Sequence, residues 1–140
     1  MPRAETETLI FVYGTLRRGA PMHALLRGAP FVADARLQAR LWDLGVYPGV
    51  TSSRSRRDRV RGELYRLPDA EPERVALLDS LDRYEGDAFE RAVREAVVAD
   101  GTRHTAYVYL FAGSTRGARR IASGDYLDPL TPAAPAARRG

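Results

Sequence analysis

The sequence predicts an α+β domain built around a small closed or nearly closed sheet, and three observations carry that prediction. Strand-like stretches outnumber helical ones, and one long stretch, from Pro72 onward, places its apolar residues at helical spacing. Asp100-Gly101 joins two long strand candidates as a hairpin. Strands gathered around one principal helix do not make a regular βαβ alternation.

The apolar run Leu9 to Tyr13 reads as a buried strand that stops at Gly14-Thr15, where the missing Cβ of glycine lets backbone approach a ligand. Pro21 to Leu26 suits a short helix. Phe31 to Leu41 reads as one or two strands because its apolar residues partly alternate, and residues 45–55, rich in Gly, Pro and Ser, read as a loop. Val60 to Leu67 returns to strand character. Val60, Gly62 and Leu64 face one way there, Arg61, Glu63 and Tyr65 the other, and Gly62 marks a bulge or a close approach.

In the helix, Val75, Leu78 and Leu81 or Asp82 fall at steps of three or four, Glu71 and Glu73 suit the N-terminal turn, and Gly86 supplies a stop. Phe89 to Ala99 and Thr102 to Phe111 follow as strands, the second with Ala106, Val108 and Leu110 on one face and Tyr107, Tyr109 and Phe111 on the other. The expected organisation is a flexible leader over residues 1–7, a single domain over 8–130, and a flexible tail over 131–140.

A length of 140 residues suits one compact domain and is short for two. The chain has no cysteine, which excludes disulfides, thiolate metal sites and a thiol nucleophile. All 22 basic residues are arginine, so lysine Schiff-base chemistry is excluded as well. That bias fits a GC-rich bacterial genome, and the net charge of +4 follows from it. The densest basic run, Arg54 to Arg59, lacks interleaved aromatics and reads as a solvated loop, so no nucleic-acid partner is expected. No apolar stretch approaches the ~18 residues of a membrane span and the N-terminus has no signal core, so the expectation is a cytoplasmic protein without a membrane partner.

Two places can carry chemistry. Backbone N–H groups at Gly14, Thr15 and Leu16, with the Thr15 hydroxyl, can cradle a carboxylate or phosphate. Glu85 ends the predicted helix, where partial negative charge biases a carboxyl toward holding its proton, as an acid/base catalyst requires. On spacing alone the loop reads equally as a structural turn, and Glu85 as a solvated helix-end residue. His23 and His104 lie far apart without metal-ligand spacing, and no Gly-x-Ser-x-Gly elbow is present, so no metal site is expected.

The wording of several segments adds to this reading. Tyr13-Gly14-Thr15-Leu16-Arg17-Arg18-Gly19 with Pro21-Met22-His23, Leu44-Gly45-Val46-Tyr47-Pro48-Gly49, Val60-Arg61-Gly62-Glu63-Leu64-Tyr65, Leu81-Asp82-Arg83-Tyr84-Glu85-Gly86 and Ser123-Gly124-Asp125-Tyr126 follow one another in order. The set resembles the signature of the γ-glutamylcyclotransferase-like family, which includes the AIG2-like proteins. The resemblance implies a mixed six-stranded β-barrel flanked by helices. It also implies an enzyme that cyclises the γ-glutamyl group of an amine, amino acid or small metabolite to 5-oxoproline, releasing the free amine without a cofactor.

In that reading Glu85 moves the proton, the Gly14-Thr15-Leu16 backbone holds the substrate carboxylate, and Tyr13, Tyr47 and Tyr126 shape or cover the pocket. Phe89 stands where the family more often has tyrosine, and Tyr126 where it often has tryptophan. The alternative is a non-catalytic small-molecule binding protein on the same fold. The partners expected are the γ-glutamyl substrate and, at most, a second copy in a weak homodimer. Gly14→Val is expected to weaken substrate binding through steric intrusion, checked by isothermal titration with a γ-glutamyl ligand.

Overall fold

Strand β1, Leu9–Val12, has both faces buried, which explains its unbroken apolar run. Leu9, Phe11 and the following Tyr13 point into one apolar cluster, while Ile10 and Val12 point into another. The computed structural model describes residues 8–45 and 47–126, so the expected leader and tail lie outside the described residues.

Around β1 the chain closes a barrel. β2 (Phe31–Asp43), β4 (Arg59–Arg66), β5 (Phe89–Val98) and β6 (Arg103–Phe111) join β1 in the circular order β1-β4-β2-β5-β6. Every seam is antiparallel except that between β1 and β6, which is parallel through Ile10 and Tyr107. The expected class, a small mixed barrel, holds, with five strands in the ring rather than six. A further strand, β3 (Pro48–Ser52), pairs with the outer end of β2 alongside the two-residue β7 (Arg119–Arg120). β2 spans both tasks because it runs 13 residues.

The barrel interior holds Leu9, Phe11, Leu37, Val60, Leu64 and Val108 among others. Outside it, α1 (Glu71–Glu85) lays Leu77, Leu78 and Leu81 on Ile10, Val12, Tyr65 and Tyr109. Val75, expected on the packed face, is 47% exposed, and Leu77 takes its place. Val75 stands three residues before Leu78 and Leu77 four before Leu81, so spacing admits both, and contact with the barrel decides between them. Glu71 and Glu73 do occupy the first turn, and Gly86, at φ +77°, ends the helix and turns the chain toward β5.

Three local expectations change. The 45–55 loop contains β3, because β2 outruns the barrel and offers Val50 and Thr51 a free edge; Pro48 is tolerated as the first residue of a strand. The β5–β6 connection is a three-residue loop, Ala99-Asp100-Gly101, rather than a two-residue turn: Gly101 N–H donates to Val98 O (2.9 Å) and Val98 N–H to Thr102 O (3.0 Å), with Gly101 at φ +90°. The short helix is a single 3-10 turn, His23–Leu26. The alternation on β6 is as expected, with Ala106, Val108 and Leu110 on the interior cluster and Tyr107 and Tyr109 on the helix side.

Gly62 marks a close approach without a bulge: a Cβ there would lie 2.3 Å from Val12 O and 2.5 Å from the Phe11 ring. Because the first neighbour is backbone, Gly62→Ala is expected to cost about 3 kcal/mol and lower Tm by on the order of 10 °C, measured by calorimetry.

Candidate active site

The C-terminal end of β1 and the C-terminal end of α1 meet at a pocket of about 190 Å³. Its walls include Tyr13, Gly14, Thr15, Leu16, Tyr47, Pro48, Tyr84, Glu85, Phe89 and Tyr109. Six of the seven expected site residues, Glu85, Tyr13, Gly14, Thr15, Leu16 and Tyr47, therefore share one cavity. Tyr126 does not line it; its half-buried ring packs on the barrel-interior cluster, because Gly124 docks the preceding segment on β4 through Arg61 N–H to Gly124 O (2.7 Å).

The loop after β1 is folded on itself. Arg17 N–H donates to Gly14 O (3.0 Å) and Met22 N–H to Thr15 O (2.8 Å), and His23 Nδ1 donates to Leu16 O (2.8 Å). His23 is thus a structural brace for this loop. The N–H groups of Thr15 and Leu16 have no acceptor among the described residues, which leaves two adjacent donors at the pocket wall. Gly14 is required for a second reason besides ligand access: a Cβ would fall 2.6 Å from Pro48 Cγ, so the loop and β3 can touch only at glycine.

Glu85 is half-buried, and burial pushes its carboxyl up to about 7. The direction matches the expectation from sequence, but the cause is loss of solvent in the pocket rather than the helix terminus. Three contacts of α1's last turn hold it in place. Tyr109 Oη donates to Asp82 Oδ1 (2.5 Å), Arg91 Nε lies 3.4 Å from the same oxygen, and the Tyr84 and Thr15 hydroxyls are hydrogen-bonded at 2.8 Å. Burial and the Asp82 bond raise the Tyr109 phenol well above its ordinary value, so it stays a donor. Tyr13 is likewise held neutral by burial and by the Glu85 charge; its hydroxyl donates to Tyr109 O (2.8 Å).

Aromatic rings close one side of the pocket. Tyr47, 37% exposed, meets Phe89 edge-on at 5.4 Å, and Phe89 meets Phe111 at 5.6 Å. Phe89 therefore acts through its ring, and no hydroxyl is present at that point. None of Arg54 to Arg59 lines the pocket.

Arg17 and Arg18 turn away from the cavity toward a residue that sequence reasoning placed only on a strand face, Glu63. Its buried carboxylate accepts from Arg18 N–H (2.9 Å), Arg18 Nε (3.3 Å) and Tyr65 Oη (2.8 Å), with Arg17 Nε at 3.5 Å. Arg17 also binds Asp125 (2.7 Å). Burial alone would raise the Glu63 carboxyl, but these donors outweigh it and hold the group below the usual carboxylate range. A glutamate inside an otherwise apolar strand was the available signal, since a buried charge demands partners.

Glu63 therefore positions the donor loop without touching the pocket. Glu63→Gln keeps its shape but sets an amide NH₂ against arginine donors. The variant is expected to lose about 2 kcal/mol of stability and to bind pocket ligands roughly 10-fold more weakly, read by thermal melting and titration.

Residues 10–128 match the sequence pattern of the family described as gamma-glutamyl cyclotransferase, AIG2-like. The gamma-glutamylcyclotransferase family protein YtfP of Escherichia coli K12 is 31% identical over 120 residues, covering 85% of this chain and 96% of YtfP. Among solved structures, YkqA from Bacillus subtilis aligns with a TM-score of 0.68 at 24% identity, over 86% of this chain but 39% of YkqA, so there the fold is one part of a longer chain. An AIG2-like protein from Mus musculus aligns with a TM-score of 0.60 at 23% identity, over 76% of this chain and 78% of the mouse chain. At those identities the two structures establish a shared fold. The family match and the relation to YtfP go further: this chain belongs to the AIG2-like gamma-glutamyl cyclotransferase family.

Proposed function

We propose that the protein cyclises a γ-glutamyl group to 5-oxoproline and releases the attached amine, with Glu85 carrying the proton. The observation that supports this most directly is one carboxyl poised near neutrality in the same small cavity as the two open N–H donors of Thr15 and Leu16. A volume of about 190 Å³ is below the ~300–1,000 Å³ of ordinary ligand clefts and suits a single amino-acid-sized group. The glutamyl half fits inside, and the leaving amine extends past Tyr47.

The substrate supplies its own nucleophile, so positioning contributes much of the acceleration. The α-carboxylate binds the Thr15 and Leu16 N–H groups. Ionised Glu85 takes a proton from the α-ammonium; the freed amine attacks the γ-carbonyl carbon and closes the five-membered lactam. As the bond to the leaving nitrogen breaks, Glu85 gives it that proton; the regenerated carboxylate then takes the second proton from the ring nitrogen and passes it to the released amine, leaving a neutral lactam, an ammonium and ionised Glu85. Tyr13 and Tyr109, kept neutral by burial, add no competing charge to the site.

Mass-spectrometric detection of 5-oxoproline from a panel of γ-glutamyl amines and dipeptides tests the reaction. Wild type is expected to turn over at least one member, and Glu85→Gln to fall roughly 100-fold or more in kcat while still binding it. Normal turnover by the variant would remove Glu85 from the mechanism. Binding without turnover by the wild type would favour a non-catalytic binding protein.

The pH dependence has a defined sign. Activity should rise as pH passes upward through about 7, where Glu85 becomes the base. Stability moves oppositely. Between the ordinary carboxyl value of 4.5 and about 7 the folded protein keeps a proton that the unfolded chain releases, so stability falls as pH rises through that window. Glu85→Gln should escape this loss and gain in Tm relative to wild type across the same window.

A further inference from the structure

The outer surface of the barrel where β4, β2, β5 and β6 lie side by side carries a transverse row of like charge. Arg61 on β4 stands opposite Arg36 on β2, Arg36 opposite Val97 on β5, and Val97 opposite Arg103 on β6. Gln38 and Arg59 form the neighbouring pair. All three arginines of the row are exposed. Arg61 and Arg36, directly opposite on adjacent strands, repel, so this pair costs stability unless an anion lies along it.

Arg56 joins these residues around a groove of about 890 Å³, whose one acidic member, Asp34, is engaged by Arg18 at 3.1 Å. Arg103 has a loose, exposed ion pair with Glu95 at 3.5 Å. Arg36, Arg56, Arg59 and Arg61 have no ion-pair partner among the described residues. The loop bearing Arg56 is anchored from below. Asp58 accepts from Arg40 (2.8 Å), Ser53 Oγ (2.6 Å) and Arg120 (2.6 Å), and these bonds hold its carboxyl well below the usual range. The anchored loop keeps Arg56 and Arg59 at the rim of the groove.

We infer that this face binds an extended chain of linked phosphates. Four strands spaced at ~4.8 Å make the row about 14 Å long, too long for one small anion and long enough for several consecutive phosphates. Guanidinium forks match phosphate oxygens bidentately. The groove has no aromatic lining for stacking bases, so the phosphate chain itself is what is recognised. The Arg54 to Arg59 run on its own is a solvated loop; barrel closure brings Arg36 and Arg103, far from it in sequence, beside Arg59 and Arg61 of β4. The groove is separate from the catalytic pocket and shares no lining residue with it.

A nucleic-acid strand and inorganic polyphosphate are the two sources of such a chain. Fluorescence anisotropy with labelled oligothymidylate, and competition with long-chain polyphosphate, distinguishes them. With four arginines engaged, affinity for the oligonucleotide should fall about 50-fold between about 50 and 200 mM salt. In Arg36→Gln/Arg61→Gln the drop should be about 7-fold, from an affinity already at least 10-fold weaker at the lower salt. This variant relieves a repulsive pair and should melt no lower than wild type. Arg94→Gln/Arg116→Gln, which removes the same charge outside the groove, should bind like wild type. If only polyphosphate binds with this dependence on Arg36 and Arg61, the inference holds with polyphosphate as the source. Absence of binding to both polymers at about 50 mM salt, or equal weakening by the two double variants, would overturn it.

Discussion

The burial of β1 on both faces is the constraint from which the rest of the architecture follows. One face must be covered from inside a closed sheet and the other by a separate layer, so the chain needs both a barrel and α1. α1 packs Leu77, Leu78 and Leu81 on the outer face of β1 and β6, which brings its last turn beside the end of β1. The donor loop and Glu85 therefore meet as a by-product of covering one strand. At Gly62 and Gly14 this packing leaves no room for a side chain, against β1 in one case and β3 in the other.

Electrostatics divides the molecule into regions with different tasks. Glu63 and Asp58 are buried carboxylates saturated with donors, and both stay ionised and structural. Glu85 is half-buried without such donors, and its proton affinity rises instead. The contrast is the physical distinction between a carboxylate that holds a loop and one that can move a proton: the first is surrounded by arginine, the second by tyrosine, phenylalanine and backbone. Arg17 illustrates the same logic, since its charge is spent on Glu63 and Asp125 and does not reach the cavity.

The strand-count difference and the unexpected β3 have one cause. β2 is long enough to serve as a barrel stave for one part of its length and as a free edge for the rest. A glycine- and proline-rich segment becomes a strand when such an edge lies within reach. Tyr47 and Pro48 then sit at the start of β3 against the pocket, so the extension outside the ring still forms one of its walls.

By itself the sequence determined the fold class, the five strands of the ring, the single long helix with its stop at Gly86, and the pairing of a Gly14-Thr15 loop with Glu85. Each of these is written locally, in apolar period, turn residues or an ordered set of short motifs. Only the tertiary structure decided that Val75 faces water while Leu77 packs, that Tyr126 joins the barrel core, and that Glu63 rather than a loop residue positions the donors. It also decided that Arg36, Arg61 and Arg103 share a row. Those outcomes depend on register and on closure of the β1–β6 and β2–β5 seams, which join residues far apart in the chain; no local pattern records which distant strand supplies the neighbour.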